Sequence, residues 1–172
     1  GELLVKGEGV MKGYWKQEKE TSETIIDGWL HTGDLADIDE DGYITIKDRK
    51  KEIIVNSGGD NIAPVRPEAS LTFQDIILQA MVYGDRRPYL VGLIVVDPEI
   101  SKNISEEELN NEVSNAVKKA NENLSQIEKI KKYIIADEPF STDNGMLTPT
   151  MKIRRHMVNE VYGEQLNNLY KK

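Results

Sequence analysis

The sequence predicts an α+β fold, a small β-sheet covered by helices and preceded by hairpin-like strands. Three observations carry that prediction. Two β-branched runs, Ile76 to Tyr83 and Tyr89 to Val96, flank Gly84-Asp85-Arg86-Arg87-Pro88 as the arms of a hairpin flank its turn. Ser105 and Glu108 form a capping box, and Leu109, Val113, Ala116, Val117, Ala120 and Leu124 follow at helical spacing. Alternating residues lie on both sides of Asp41-Gly42, where the glycine supplies the positive φ of a tight turn.

Taken in order, Glu2 to Lys6 reads as a short strand, and Gln17 to Thr24 as a short polar surface helix after a loop containing Gly7, Gly9 and Gly13. Leu35 to Asp39 and Tyr43 to Lys47 are the arms around Asp41-Gly42. The character changes at Asp48-Arg49-Lys50-Lys51, and a strand-like Glu52 to Asn56 leads into the flexible loop Ser57-Gly58-Gly59-Asp60. Pro64 suits the first turn of a helix, and Pro67 is tolerable there but not deeper. Acidic residues crowd the first turn of the capped helix, as its dipole prefers. Tyr133 to Ala136 is a third core strand and Asn144-Gly145 a turn. Ile153, Met157, Val158, Val161, Tyr162, Leu166 and Leu169 then outline a final amphipathic helix.

A chain of 172 residues holds one ordinary domain, or a small domain plus a piece of another. Hydrophobic residues make up 38%, rich enough in Ile, Val and Leu to bury a core and to rule out wholesale disorder. The net charge of -8 argues against a general nucleic-acid or anionic-membrane binder. Without cysteine there is no disulfide, thiolate metal site or cysteine nucleophile. The longest apolar stretch, Leu90 to Val96, is about a third of a bilayer-spanning helix. No signal peptide is visible, and Gly1 opens inside a strand-like run. The expectation is a piece of a longer cytoplasmic protein.

His31 and His156 are far apart and lack metal-ligand spacing, so no metal site is expected. Asp37 to Gly42 resembles a calcium loop only superficially: Asp48 stands where a bidentate Glu belongs, and strands flank it. Two basic clusters remain, Lys47, Arg49, Lys50 and Lys51, and Lys152, Arg154, Arg155 and His156. Each reads either as a solvated face or as the flank of an anionic ligand. Before the first stands Thr32-Gly33-Asp34, whose Asp is either a loop cap or an acceptor for sugar hydroxyls.

Read in order, the pieces become specific. Gly1-Glu2-Leu3-Leu4-Val5-Lys6-Gly7, Val10-Met11-Lys12-Gly13-Tyr14-Trp15 and Gly28-Trp29-Leu30-His31-Thr32-Gly33-Asp34 resemble the adenylate-forming enzymes. Those include acyl-CoA synthetases, nonribosomal-peptide adenylation domains and firefly luciferases. Asp48 to Pro64 and Leu147-Thr148-Pro149-Thr150-Met151-Lys152 look most like the long-chain fatty-acid:CoA ligase branch. The resemblance covers nearly the whole chain. It implies that residues 1–47 are the β-rich tail of a large N-terminal domain and 48–172 a small mobile C-terminal domain.

The activity so implied joins a fatty acid to ATP as an acyl-adenylate and passes it to CoA. Mg2+ would be bound mainly by the rest of the protein, and the fragment alone would be inactive. Transfer to an acyl carrier protein, or a non-catalytic interaction module, are the alternatives. Self-association and peripheral membrane contact stay open. By the resemblance Asp34 binds the ribose hydroxyls, Arg49 makes a second ribose or phosphate contact, and Lys51 is the hinge. Ser57, Gly58 and Gly59 line the pantetheine tunnel, and Lys152 is the adenylation lysine. The rival readings are a loop cap for Asp34, a structural salt bridge for Arg49, a plain turn for the glycines and solvated cations for the lysines. Met151 stands where shorter-chain members carry Gly, and Asp60 where Glu is usual. Pro67 replaces an apolar helix residue, which points to a later helix start.

Overall fold

The computed structural model describes residues 1–171. They form two compact units, Gly1–Ile53 and Ile54–Lys172.

In the first unit β3 (Trp29–Ile38) is the spine of an antiparallel sheet that also contains β1 (Glu2–Val5), β2 (Ile25–Ile26) and β4 (Ile44–Arg49). Leu30 pairs with both Val5 and Ile25, and Leu35 with both Glu2 and Asp48. A residue can serve two partners only from its two sides, so β1 runs along one edge of β3 and β2 and β4 along the other. The short helix α1 (Glu18–Thr24) precedes β2. At the β3–β4 turn Gly42 has φ 86, and the Asp39 carboxylate accepts the N–H groups of Asp41 and Tyr43 at 3.1 and 2.8 Å. That acidic tip is an Asx-type turn, with one Asp oxygen committed to backbone. Ile38 pairs with Ile44 and Ala36 with Ile46, which puts all four on one face of the ribbon. The three isoleucines of that face are exposed.

The second unit begins with a two-stranded ribbon, β5 (Ile54–Val55) and β6 (Asn61–Ile62), followed by α2 (Val65–Thr72). Its centre is the sheet β7 (Ile77–Tyr83), β8 (Leu90–Val96) and β9 (Ile130–Ile135). β7 and β8 are antiparallel, and β8 and β9 parallel across a crossover through α3 (Pro98–Ser101) and α4 (Glu106–Glu122). The chain ends in α5 (Arg155–Asn168).

β8 explains its own composition. Leu90 and Ile94 point into a core shared with α2, α4, Ile54 and Ile62. Val91, Leu93 and Val95 point the other way, into a core shared with Phe140, Met146, Leu147, Val158, Tyr162 and Leu166. A strand covered on both faces needs an unbroken apolar run rather than alternation. α4 keeps the expected reciprocal capping box between Ser105 and Glu108.

α2 starts at Val65, earlier than the Pro67 departure suggests. Pro67 sits buried in the first turn, where N–H groups have no intrahelical acceptor and a proline forfeits none. Only Ile54 and Val55 of the expected strand at 52–56 join a ladder, because Glu52 and Ile53 donate instead to the Arg49 carbonyl in a turn.

Candidate functional site

In the first unit the structure brings Asp34 and Arg49 together. They are opposite one another across β3 and β4, and Arg49 Nε donates to Asp34 Oδ1 at 2.9 Å. Asp34 therefore lies within a strand, not in a loop. Its backbone N–H is held by Thr32 Oγ1 at 3.0 Å, and Thr32 donates to the Leu3 carbonyl at 2.8 Å. Gly33 adopts φ 73, and its carbonyl receives the Lys50 N–H at 2.8 Å.

Glu2, on the neighbouring strand, draws the same corner together. It accepts from Gly33 N–H at 3.2 Å and Lys50 Nζ at 3.0 Å, with His31 Nδ1 3.8 Å away. The Lys50 ammonium holds the Glu2 carboxyl below the ordinary carboxylate range. Arg49, Lys50 and Lys51 line a cleft of about 650 Å³ with Glu2, His31 and Gly33. Asp34 does not line it but orients Arg49, which does. The Arg49 side chain is 60% exposed, so this pair adds well under about 1 kcal/mol to stability and acts mainly by orientation. Asp34 Oδ2 has no protein hydrogen bond among the described residues and can accept from a ligand. Lys51 is exposed in the turn after β4, just before the units divide at Ile53.

The second unit carries two loops. Between β5 and β6, Asn56 Oδ1 accepts the N–H groups of Gly58 and Asp60 at 2.8 and 2.9 Å, and Asn56 Nδ2 donates to Asp60 Oδ2 at 2.9 Å. Gly59 has φ 88, where a side chain would be strained. A Cβ on Gly58 would come within 3.2 Å of Asn56 Oδ1. Ser57, Gly58 and Gly59 thus form a fixed, exposed turn whose shape depends on glycine.

Lys152 follows a tighter turn. Thr148 accepts the Met151 N–H at 2.8 Å, its own N–H donates to the Lys152 carbonyl at 2.8 Å, and its Oγ1 accepts the Lys152 N–H at 3.0 Å. Pro149 takes the second turn position, which its fixed φ suits. Met151 adopts φ 62, a left-handed conformation in which glycine is the conformationally easy residue. Leu147 and Ile153 bridge across the base, and Met146 and Leu147 anchor it in the α5-side core. The Lys152 ammonium is exposed and has no hydrogen-bond or ion-pair partner among the described residues.

The second basic cluster does not act as a unit. Arg155 pairs with Glu68 at 2.8 and 2.7 Å, and Arg154 donates to the Gly145 carbonyl at 3.1 Å. The side chains of Lys152 and the exposed His156 remain without a hydrogen-bond or ion-pair partner among the described residues, and of these Lys152 stands at the turn, while His156 lies within α5. The Ser57–Gly59 turn grows from Ile54 and Ile62, in the α4-side core, and the Lys152 turn from the opposite face of the sheet. The sequence reading did not single out Asn56, Asp60 and Thr148 as organisers; Asn-x-Gly-Gly-Asp and Thr-Pro were the available turn signals.

Comparison with known proteins identifies the family. A long-chain-fatty-acid–CoA ligase of Mycobacterium tuberculosis, FadD15, is 42% identical over 188 residues, covering 100% of this chain and 31% of its own. The chain thus spans about a third of that relative's length. The adenylation domain of a carboxylate reductase from Mycobacterium chelonae superposes with a TM-score of 0.93 at 28% identity, over 100% of this chain and 28% of that one. The corresponding domain from Segniliparus rugosus, solved with AMP and a carboxylic acid, gives 0.85 at 30% identity, over 99% and 28%. The fold is that of the adenylate-forming enzymes. More narrowly, residues 51–172 match the AMP-binding enzyme C-terminal domain, and the chain belongs to that family.

Proposed function

We propose that the chain is the C-terminal part of a cytoplasmic, ATP-dependent acyl-CoA synthetase for long-chain fatty acids. A carboxylate oxygen of the acid attacks the α-phosphorus of ATP and pyrophosphate leaves. The CoA thiol then attacks the acyl carbonyl, losing its proton, and AMP leaves.

One observation carries the reading: a single sheet presents a free cation on one face and a glycine turn on the other. A cation suits the first step, where charge grows between carboxylate and α-phosphate. A backbone turn without side chains suits close passage of a narrow thiol arm in the second. Loops on opposite faces serve one reaction centre in succession if the C-terminal domain that carries both turns against a larger one. Lys51 is the hinge in this reading, and its position beside the division of the units supports that role. Asp34 accepts from the ribose hydroxyls, and Arg49 makes a ribose or phosphate contact. The uncovered Ile38, Ile44 and Ile46 support residues 1–47 being part of a larger layered domain.

The likeness to FadD15 supports a long-chain fatty acid, and its higher identity favours CoA over a carrier protein as acceptor. Mg2+ is assigned mainly to the rest of the protein, as the family resemblance implies. The test is Lys152→Ala in the full-length enzyme, with this chain alone as the inactive blank. Acyl-adenylate formation should fall by roughly a hundredfold, the scale of losing one electrostatic stabiliser. Thioester formation from supplied acyl-adenylate should stay within a few-fold of the parent. Equal losses in both steps would sink the assignment.

A further inference from the structure

One polar cluster serves neither the nucleotide contacts nor Lys152. Tyr170 folds back onto the turn between β7 and β8, its hydroxyl 3.1 Å from the Tyr83 carbonyl and 2.9 Å from that of Tyr89. The single phenolic proton is shared between the two ends of the turn. Burial pushes the phenol well above its ordinary range, so the hydroxyl stays a donor into alkaline solution. The Arg87 guanidinium lies 5.0 Å from the Tyr170 ring centre and donates to Asn167 Oδ1. Tyr83 donates to the same Asn167 oxygen at 3.1 Å, and Asn167 Nδ2 is fixed by the Gly163 carbonyl at 2.8 Å.

The far side of this turn holds the β5–β6 loop. Arg86 N–H donates to the Val55 carbonyl at 2.7 Å, and Ser57 N–H to the Arg87 carbonyl at 3.0 Å. Val55 N–H donates to Asp85 Oδ1 at 3.2 Å. Arg86 has φ 56, a conformation that costs energy for a non-glycine residue and persists where neighbours hold it.

We infer that Asn167 and Tyr170 are positioning residues for the Ser57–Gly59 turn: they clasp residues 84–88, and those residues hold the turn. The inference rests on the assignment of that turn to the acyl acceptor. It makes the second half-reaction depend on the end of the chain. α5 has 14 residues, about 20 Å of helix, so the clasp and the Lys152 turn lie near opposite ends of it.

The test uses Tyr170→Phe, which keeps the ring and removes the donor, and Asn167→Ala, both in the full-length enzyme. The KM for CoA with supplied acyl-adenylate should rise roughly tenfold, the scale of one lost buried hydrogen bond. Adenylate formation should stay within about twofold. Amide exchange at Ser57 and Gly58 should quicken in both variants. Unchanged exchange and CoA KM, or equal loss in both half-reactions, would overturn the inference. Gly58→Val, assayed alongside, shows where a failure lies. If it cripples the acceptor step while Tyr170→Phe does not, the loop assignment stands and the clasp is wrong. If Gly58→Val also leaves that step intact, the loop assignment falls and the clasp with it.

Discussion

Removing the Arg155 guanidinium tests how the Lys152 turn is held. Arg155 opens α5 and grips Glu68 of α2 with two hydrogen bonds, 2.8 and 2.7 Å long. Glu68 Oε1 also accepts the Val82 N–H at 2.8 Å, so one carboxylate ties α2, β7 and α5 together. The two side chains are 22% and 13% exposed, between the surface and the interior. Breaking one side of a buried pair costs about 3–5 kcal/mol, whereas exposed pairs are worth at most about 1. With some water access and the Val82 N–H still in place, Arg155→Ala should cost about 2–3 kcal/mol. For a unit of this size the thermal midpoint should fall by roughly 10 °C. Circular dichroism during heating and urea titration reads both, with an unchanged m-value. Arg155→Lys should recover only part, because an ammonium cannot reproduce the planar fork. A loss below about 0.5 kcal/mol, the scale of an ordinary surface substitution, would refute the reasoning.

Lys51→Pro in the full-length enzyme should slow transfer to CoA while adenylate still forms, because proline restricts φ where the rotation is absorbed; equal slowing of both half-reactions would remove Lys51 as hinge. Glu128 supplies a pH signature. Burial raises its carboxyl, but hydrogen bonds from Ser125 and the charge of Arg66 outweigh burial and hold it below the ordinary 4.5. A depressed folded value means stabilisation present above the unfolded pKa and lost as pH falls through the folded one. Glu128→Gln should therefore lower the urea midpoint at neutral pH, and its gap from the parent should shrink as pH falls below 4.5 and vanish once the folded carboxyl is protonated. A gap that persists at lower pH would contradict this account.

Legibility in the sequence followed locality. The capping box at Ser105 and Glu108 and the turn at Asp41-Gly42 are short-range devices, and both stand in the structure as read. β6 and β2 are two residues each, too short for any periodicity to show, and exist only because a partner strand is there. Asp34 was legible as an acceptor but not as a strand residue, since its pairing with Arg49 spans fifteen positions. The second basic cluster misled as a unit because charge counting cannot see Glu68, which takes up Arg155 from 87 residues away. Met151 showed the reverse: the motif gave no sign of the left-handed backbone that the residue adopts, at a position where glycine would be the easier choice.

The two-faced burial of β8 bears on rigidity. Both cores are built on the same seven-residue strand, through alternate side chains, so neither can shear without disturbing the other's packing. A domain with two independent walls could exchange its loops by bending internally. Here the loop bases pack into cores on opposite sides of one strand, which couples the placement of the two turns. In the proposed reading, exchange of the two turns at a common point falls to the peptide before Ile54, where a few backbone torsions set its amplitude.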